Sequence, residues 1–229
     1  MLFRSTLVPT QNKATYLGGI ITKKSEYKPE LNHRIAATTD VLKKLNTLWL
    51  KAPISAKWKI RVFDAVCVAK LTYGLETIPV SNEVCKKLDA FYFRALRKIT
   101  GIKAAYVSRI TNAQVLRVAN ERANLRQGQK LKTITQRLKE KQIKLYGHLI
   151  RADIDSDHAR RVSIDERGKR VQANFRRVGR PRIKWYDMVR NEVILNLISQ
   201  GIIPRNWSWY MRNEELDQII IDAANERLF

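Results

Sequence analysis

Apolar residues recur at helical spacing through most of the chain, and this pattern predicts a mainly α-helical fold. The first helix carries its apolar stripe from Leu31 to Trp49 and must end before Pro53. Ser81 and Gly101 bracket another helix, as a capping residue and a stop. Further helices are predicted from residue 111 or 112 to about 128, within 129–150, over 183–200 and over 213–228.

The helix predicted to begin after Ser55 is apolar on all sides. One face holds Trp58, Val62, Ala65, Val66, Ala69 and Tyr73, and the opposite face holds Ile60, Phe63, Cys67 and Leu71. Apolar residues all round a helix are typical of burial on every side. We therefore expect this helix at the centre of the core.

Two parts of the chain depart from the helical pattern. Residues 15–22 are rich in β-branched and aromatic residues and predict a strand or two, with Gly18 and Gly19 at a bulge or a close backbone approach. Residues 152–181 lose the apolar periodicity and are predicted to form an extended basic arm. Between Arg160 and Arg190 there are eleven Lys and Arg against three acidic residues.

The charge of the whole chain extends this picture. It has 44 Lys and Arg against 21 Asp and Glu, a net charge of +23 and a pI of about 10.3, which favours a polyanionic partner. Nucleic acid is the leading candidate. A membrane surface is the competing one, but no run of 18 apolar residues occurs, and basic residues fall between the apolar helices as well as on them.

The residues predicted to contact nucleic acid lie at the end of the 81–101 helix, along the 129–150 helix and through the arm. They are Arg94, Arg97, Lys98, Lys103, Lys139, Lys141, Lys144, His148, Arg151, Arg160, Arg161, Lys169, Arg170, Arg176, Arg177, Arg180, Arg182, Lys184 and Trp185. Two of them have a second interpretation: Trp185 either stacks on unpaired bases or, as we favour, packs in the core, and His148 either contacts phosphate or packs.

Residues for catalysis or for a metal are not apparent in the sequence. A polymerase or nuclease needs paired carboxylates that converge on Mg²⁺, whereas Asp64, Glu76 and Asp89 sit alone on helices, where exposed or capping positions are expected. Asp153, Asp155 and Asp157 alternate without the Gly and Glu of a calcium loop and predict a solvated turn. We expect no catalytic site, no metal, no cofactor and no small-molecule substrate. Cys67 and Cys85 are expected to be buried thiols.

Several short motifs follow one another in a recognisable order. They are Tyr16-Leu17-Gly18-Gly19-Ile20, Leu71-Thr72-Tyr73-Gly74-Leu75-Glu76, Leu88 to Phe91 with Leu96-Arg97-Lys98-Ile99-Thr100-Gly101-Ile102, Thr111-Asn112, Tyr146-Gly147-His148-Leu149-Ile150-Arg151, and Gly179-Arg180-Pro181-Arg182-Ile183-Lys184-Trp185 with Asp187. In sequence and order they resemble the region downstream of the palm in reverse transcriptases of non-LTR (LINE-type) retrotransposons. The resemblance covers residues from about 8 to about 195.

The resemblance implies three parts. Residues 1–29 would be a β remnant of the palm, 30–128 a thumb-like helical bundle, and 129–229 a basic C-terminal RNA-binding region with helices and an extended arm. The sequence lacks the fingers, the catalytic palm strands, the endonuclease and the Cys-His knuckle of that family. We therefore expect that it does not copy RNA by itself.

Two functions agree with these observations. One is a non-catalytic RNA-binding protein, derived from a reverse transcriptase and built into a ribonucleoprotein such as an organellar (mitochondrial) ribosome, with structured, rRNA-like RNA and neighbouring proteins as partners. The other is the thumb and C-terminal part of a retroelement RNA-directed DNA polymerase whose palm lies on another chain. The Arg- and Ser-bearing opening Met-Leu-Phe-Arg-Ser-Thr favours the mitochondrion, with the nucleus as the alternative. No helix-turn-helix, zinc-finger or basic-zipper pattern supports sequence-specific DNA binding.

Overall fold

The computed structural model of the protein describes residues 12–16, 18–23, 26–126, 130–164, 184–209 and 211–229. Over these ranges the chain is mainly helical with a short two-stranded sheet near its start, so the predicted fold class is confirmed. The opening residues with transit-like composition lie outside the described ranges. So does the most Arg-rich part of the predicted arm, residues 165–183.

The elements follow one another in an order that matches the apolar pattern. They are β1 (Lys13–Tyr16), β2 (Gly19–Thr22), α1 (Lys28–Lys44), α2 (Asn46–Leu50), α3 (Ala56–Val62), a π-helical segment (Phe63–Val68), α4 (Ala69–Thr72), a 3-10 turn (Leu75–Thr77), α5 (Asn82–Ile99), α6 (Ala105–Ser108), α7 (Asn112–Arg122), α8 (Ile134–Arg151), α9 (His158–Ser163), α10 (Trp185–Ser199), a 3-10 turn (Trp207–Trp209) and α11 (Asn213–Asn225).

The elements form two units, and each is made of two stretches of chain. Unit 1 comprises Met1–Gly74 and Phe93–Gln129, and unit 2 comprises Leu75–Tyr92 and Lys130–Phe229. The start of the second stretch of unit 2, at Lys130, lies close to the boundary predicted after residue 128. The assignment of Leu75–Tyr92 to unit 2 differs from the predicted division, and α5 is shared between the units because its first half lies in one and its second half in the other.

A hairpin opens unit 1. Strands β1 and β2 are antiparallel, with Tyr16 opposite Gly19, so the two glycines of the motif lie at the hairpin turn. Gly18 has a φ of +75°, a conformation that glycine adopts with little strain. A side chain on Gly19 would approach the carbonyl oxygen of Tyr16 at 3.5 Å. The Gly-Gly pair thus serves a tight turn rather than a bulge.

A buried ion pair on α1 holds this hairpin. Glu30 accepts a hydrogen bond at 2.5 Å from the backbone N–H of Ile20, and Arg34 donates to the carbonyl oxygen of Gly18 at 2.6 Å. The two side chains bond each other at 2.6 Å and are only 10% and 9% exposed. Arg34 also lies over the ring of Tyr73, with its guanidinium carbon 4.8 Å from the ring centroid. One ion pair therefore joins the hairpin, α1 and the end of α4.

The predicted all-round burial of the 55–73 helix is wrong for one of its two faces. Ser55 caps α3 as predicted, since its hydroxyl accepts from the N–H of Trp58, and the inward residues Ile60, Phe63, Cys67 and Leu71 are buried. The opposite residues Trp58, Val66 and Tyr73 are 57%, 41% and 56% exposed. Helix α1 packs against α4 and the π-helical segment, and α7 packs against α3, and these contacts leave Trp58, Val66 and Tyr73 exposed.

Cys67 gives a direct test of this packing. Burial raises the pKa of its thiol to about 11, although Lys70 opposes the shift. Only about one thousandth of the thiol is therefore ionised at pH 8, and we expect iodoacetamide to label the half-buried Cys85 first. Raising the pH toward 11 should speed the labelling of Cys67 about tenfold per unit. Equal labelling of both cysteines in the native protein at pH 8 would contradict the packing, and equal labelling in denaturant is the control.

The predicted helix starts at Ser55, Ser81 and Thr111 are confirmed, whereas α8 starts at Ile134, inside the predicted 129–150 segment, and some ends differ. Thr111 and Thr133 each form a capping box with the glutamine three residues on, and Ser81 accepts from the N–H of Val84. The first helix is interrupted at Leu45, so α1 and α2 replace one continuous helix. Helix α7 ends at Arg122, earlier than predicted.

The core of unit 2 lies between α8, α10 and α11. It is built from large apolar side chains that include Tyr146, Ile150, Val193, Leu197 and Ile220. Burial, together with the neighbouring Tyr186, raises the pKa of Tyr146 far above its ordinary range, so this phenol stays neutral. None of the described helices is long and apolar enough to cross a membrane.

Candidate nucleic-acid interface

Polar bonds to neighbouring segments fix helix α8 in unit 2. The side-chain amide of Gln142 is buried and donates to the carbonyl oxygens of Glu76 and Ile78 at 3.2 and 2.7 Å. At the start of the helix, Thr135 donates to Asp89 twice, from its backbone N–H at 3.1 Å and from its hydroxyl at 2.8 Å. The Asp89 carboxylate therefore serves structure, and Glu76 contributes through its backbone carbonyl. Because the inward face is held in this way, the outward face has a defined direction.

The outward face of α8 presents a line of basic residues, which we call the α8 strip. It consists of Lys141, Lys144, His148 and Arg151, all exposed and spaced three or four residues apart. Residues at this spacing lie above one another on a helix, so the strip is roughly 15 Å long. All four were predicted from the sequence as nucleic-acid contacts, and the helical spacing explains why they lie in line.

Ion pairs neutralise some lysines beside the strip. Lys139 bonds Glu192 of α10 at 2.5 Å, and Lys132 bonds Glu140 at 2.5 Å. Lys139 is therefore engaged within the protein, whereas the sequence alone placed it in the interface. Lys144 makes no ion pair with any of the residues that the structure describes.

Neighbouring elements position the two C-terminal members of the strip. His148 lies 3.4 Å from Asp157, whose pKa is lowered, first by the backbone N–H of Arg160 and also by His148. Arg151 donates to the carbonyl oxygen of Ala224 at 2.7 Å, in the last turn of α11. A methyl group on Gly147 would lie 3.1 Å from the guanidinium of Arg151 and 3.3 Å from the ring of Phe229, which accounts for glycine in the Tyr-Gly-His motif.

The start of the predicted extended arm is helical, and this corrects the prediction. Asp157 caps α9 by accepting from the N–H of Arg160. The Arg160 side chain is 6% exposed, so it cannot reach a phosphate outside the protein and leaves the candidate interface. Arg161 is exposed but donates to the carbonyl oxygens of Ile154 and Asp155. The remaining arm residues Lys169, Arg170, Arg176, Arg177, Arg180 and Arg182 lie outside the described ranges.

Trp185 begins α10, and its geometry favours the packed interpretation. Its ring packs against the core of unit 2, and its indole N–H donates to the carbonyl oxygen of Glu76 at 2.6 Å. Stacking on a base would require the ring to leave this position. Lys184, one residue earlier, is exposed and remains suited to a phosphate contact.

Of the residues on unit 1 that were predicted to contact nucleic acid, one is buried and the others are exposed or half-buried. Arg97 is 5% exposed, and its guanidinium donates to Ser108, to Asn112 and, at 2.6 Å, to the carbonyl oxygen of Ile110. Arg97 connects α5 to the loop before α7. Because its guanidinium N–H groups donate within the protein, we no longer count it among the candidate phosphate contacts. Arg94 and Lys103 are exposed, and Lys98 is half-buried.

The alternating aspartates form a capped turn. Asp153 accepts from the backbone N–H of Ser156 at 3.2 Å. The pKa of its carboxyl is lowered, first by a hydrogen bond from the Ser156 side chain and then by backbone N–H groups of the turn. Asp157 caps α9 in the same turn. Within the described ranges, no three His, Cys, Asp or Glu side chains come together in a way that would hold a metal ion.

Unit 1 also has an exposed surface that was not predicted from the sequence. Trp58 and Tyr73 were assigned to the core, whereas both are exposed beside Arg61 and Lys70. Arg61 follows Trp58 by three residues, and Lys70 precedes Tyr73 by three, so both charges share the stripe of these aromatic residues. These two basic residues on the stripe were the feature of the sequence that could have indicated an exposed face.

No protein-family model matches the chain, and no curated protein and no solved structure is significantly similar to it. The resemblance to the thumb and post-thumb region of LINE-type reverse transcriptases therefore stays a prediction.

Proposed function

We propose that the protein is a non-catalytic RNA-binding protein, derived from a reverse transcriptase, that serves as a structural component of a ribonucleoprotein such as an organellar ribosome. The observation that carries the proposal is the α8 strip, an exposed basic line on a helix whose other side is fixed. The arm that follows it in sequence is also rich in arginine, and the net charge of +23 favours the same kind of partner.

Binding would be mainly electrostatic. Lysine and arginine side chains in a line neutralise successive phosphates and release the counterions that these phosphates hold. Such contacts give affinity with little reading of sequence, which suits a protein that recognises the shape of a folded RNA. The affinity would therefore fall steeply as salt is added.

Four carboxylates on separate elements support a non-catalytic function. Glu30 holds the hairpin, Asp89 holds the start of α8, Asp157 caps α9, and Asp217 accepts from Arg190 at 2.6 Å. These acids are used in structural bonds on separate elements. A polymerase requires two carboxylates that converge on shared metal ions.

The α8 strip is tested with a double variant. Replacing Lys141 and Lys144 by alanine is expected to weaken binding to a structured RNA about 30-fold at 0.1 M salt and to reduce the slope of log K against log salt by about 1.4 to 1.8. Replacing Lys43 and Lys44, which are exposed at the end of α1, removes the same charge from unit 1. An equal loss in both variants would mean that the strip is not the contact surface.

The absence of catalysis is tested separately. The purified chain is incubated with Mg²⁺, deoxynucleotides and a primed RNA template, and we expect no primer extension. Extension would overturn the proposal. Sedimentation of cell extract is expected to place the chain with a large RNA–protein particle at moderate salt. Association only with a polypeptide that carries a polymerase palm would instead identify it as part of a retroelement polymerase.

A further inference from the structure

The exposed side of α3, the π-helical segment and α4 forms a continuous apolar face, which we call the outer face. It consists of Trp58, Arg61, Ala65, Val66, Ala69, Lys70 and Tyr73, all exposed. These residues lie three or four apart, with neighbouring pairs in between, so they form one stripe along four turns of helix. The stripe is roughly 20 Å long. Apolar surface in one continuous stripe marks an interaction site more often than scattered apolar residues do.

Both ends of the outer face carry aromatic rings that are already held in place. The guanidinium of Arg61 lies over the Trp58 ring, 5.1 Å from its centroid, and that of Arg34 lies over the Tyr73 ring at 4.8 Å. Arg34 is itself fixed by Glu30. Aromatic side chains held in this way lose little conformational freedom when a partner covers them. Tryptophan, tyrosine and arginine are also the residues that most often dominate the energy of protein interfaces.

The centre of the outer face suits another helix. Ala65, Val66 and Ala69 are small, so a second backbone can approach closely between the two aromatic ends. A helix laid along such a stripe would bury apolar residues at the same three- and four-residue spacing. A face of four turns matches a partner helix of about fifteen residues.

Charge selects the kind of helix. The two charged members of the outer face, Arg61 and Lys70, are both basic. We infer that the outer face docks an amphipathic helix of a partner protein, one whose apolar stripe is bordered by aspartate and glutamate. A second copy of this chain would bring two charges of +23 together and is disfavoured.

RNA fits the outer face less well than a protein helix does. The aliphatic centre offers neither a ring nor a donor to a nucleotide. Trp58 and Tyr73 are fifteen residues apart, which is too far for neighbouring bases to stack on both. The inference does not rest on the α8 strip, which belongs to the other unit.

A peptide pair tests the inference with the full-length chain. The first probe is an 18-residue helix with leucines at three- and four-residue spacing, glutamates along both borders of that stripe, and alanine and glutamine elsewhere. The second has lysine in place of each glutamate. Binding is followed by fluorescence anisotropy of the labelled peptides. We expect the glutamate peptide to bind and the lysine peptide to bind at least tenfold more weakly.

Two matched variants separate docking from general attraction to a basic protein. Val66→Glu adds a negative charge at the centre of the outer face, and Leu195→Glu adds the same charge at a position of unit 2 that is 60% exposed. We expect Val66→Glu to lower the affinity for the glutamate peptide at least tenfold. Leu195→Glu is expected to change that affinity less than twofold. Trp58→Ala, which removes an anchor without adding charge, is expected to act in the same direction as Val66→Glu.

Three results would overturn the inference. Equal binding of the two peptides would remove the charge argument, and equal effects of Val66→Glu and Leu195→Glu would show only general attraction. Loss of oligouridylate binding in Trp58→Ala and Val66→Glu would assign the outer face to RNA. Circular dichroism confirms that each variant is folded, and if Val66→Glu is not, Trp58→Ala decides alone.

Discussion

Replacing Arg176, Arg177, Arg180 and Arg182 together by alanine will weaken binding to structured RNA by on the order of 10³-fold at 0.1 M salt, if each arginine neutralises one phosphate. The slope of log K against log salt will become less steep by about 3, because each lost contact removes about 0.7 to 0.9. These four residues surround Gly179 and Pro181, and from this composition we predict an extended arm whose guanidinium groups reach phosphates on either side. Filter binding over a salt series measures both quantities.

A control of equal charge makes this result specific. Replacing Lys13, Lys43, Lys44 and Lys51 by alanine also removes four positive charges, all from exposed positions on unit 1. We expect this variant to keep most of the affinity and the steep slope. If the two variants weaken binding alike, the arm acts only through the overall charge of the protein. An unchanged slope in the arm variant would remove the arm from the interface.

Replacing Arg34 by methionine will cost about 3 to 5 kcal/mol of stability, which is a large part of the total for a domain of ordinary stability. The variant leaves the carboxylate of Glu30 buried without its partner, and it removes the donor to Gly18 and the cation from the face of Tyr73. Urea unfolding measures the loss as a lower midpoint at an unchanged slope.

Two further variants isolate the cause. In Glu30→Gln with Arg34→Met the buried charge is gone, while the glutamine oxygen can still accept from the N–H of Ile20, so we expect part of the stability to return. Arg117→Met breaks a pair of the same spacing with Glu121, but that pair is 73% and 65% exposed. We expect it to cost less than about 0.5 kcal/mol. A similar cost for Arg34→Met and Arg117→Met would show that burial of the pair contributes nothing.

Local chemistry was readable from the sequence because it depends on neighbouring residues. Ser55, Ser81 and Thr111 cap helices through side-chain oxygens, and an N-cap is defined by a few consecutive residues. Gly101 stops α5 with a φ of +67°, a conformation that favours glycine. The mainly helical fold followed from apolar spacing for the same reason.

Burial of individual residues was not readable in this way. Arg94 and Arg97 are one turn apart on α5, yet Arg94 is exposed and Arg97 is buried against the loop before α7. Whether each arginine is buried depends on residues distant in sequence, such as Ile110, which the local pattern does not contain. Likewise the apolar pattern of 55–73 could not tell which of its two faces would find a neighbour. Phe93, four residues before Arg97, is also buried, so the second half of α5 is covered on a wider face than the predicted apolar stripe.

The interleaving of the two units sets an order of events on the ribosome. Every stretch of unit 1 has been synthesised by residue 129, whereas Leu75–Tyr92 belongs with residues from 130 onward. The hydrogen bond from the indole of Trp185 to the carbonyl oxygen of Glu76 joins residues 109 positions apart. At about 5 to 20 residues per second, that stretch waits on the order of 5 to 20 s for its partner. Once residue 129 has left the exit tunnel, a nascent chain would therefore carry every stretch of unit 1, together with the segment Leu75–Tyr92 still waiting for its partner.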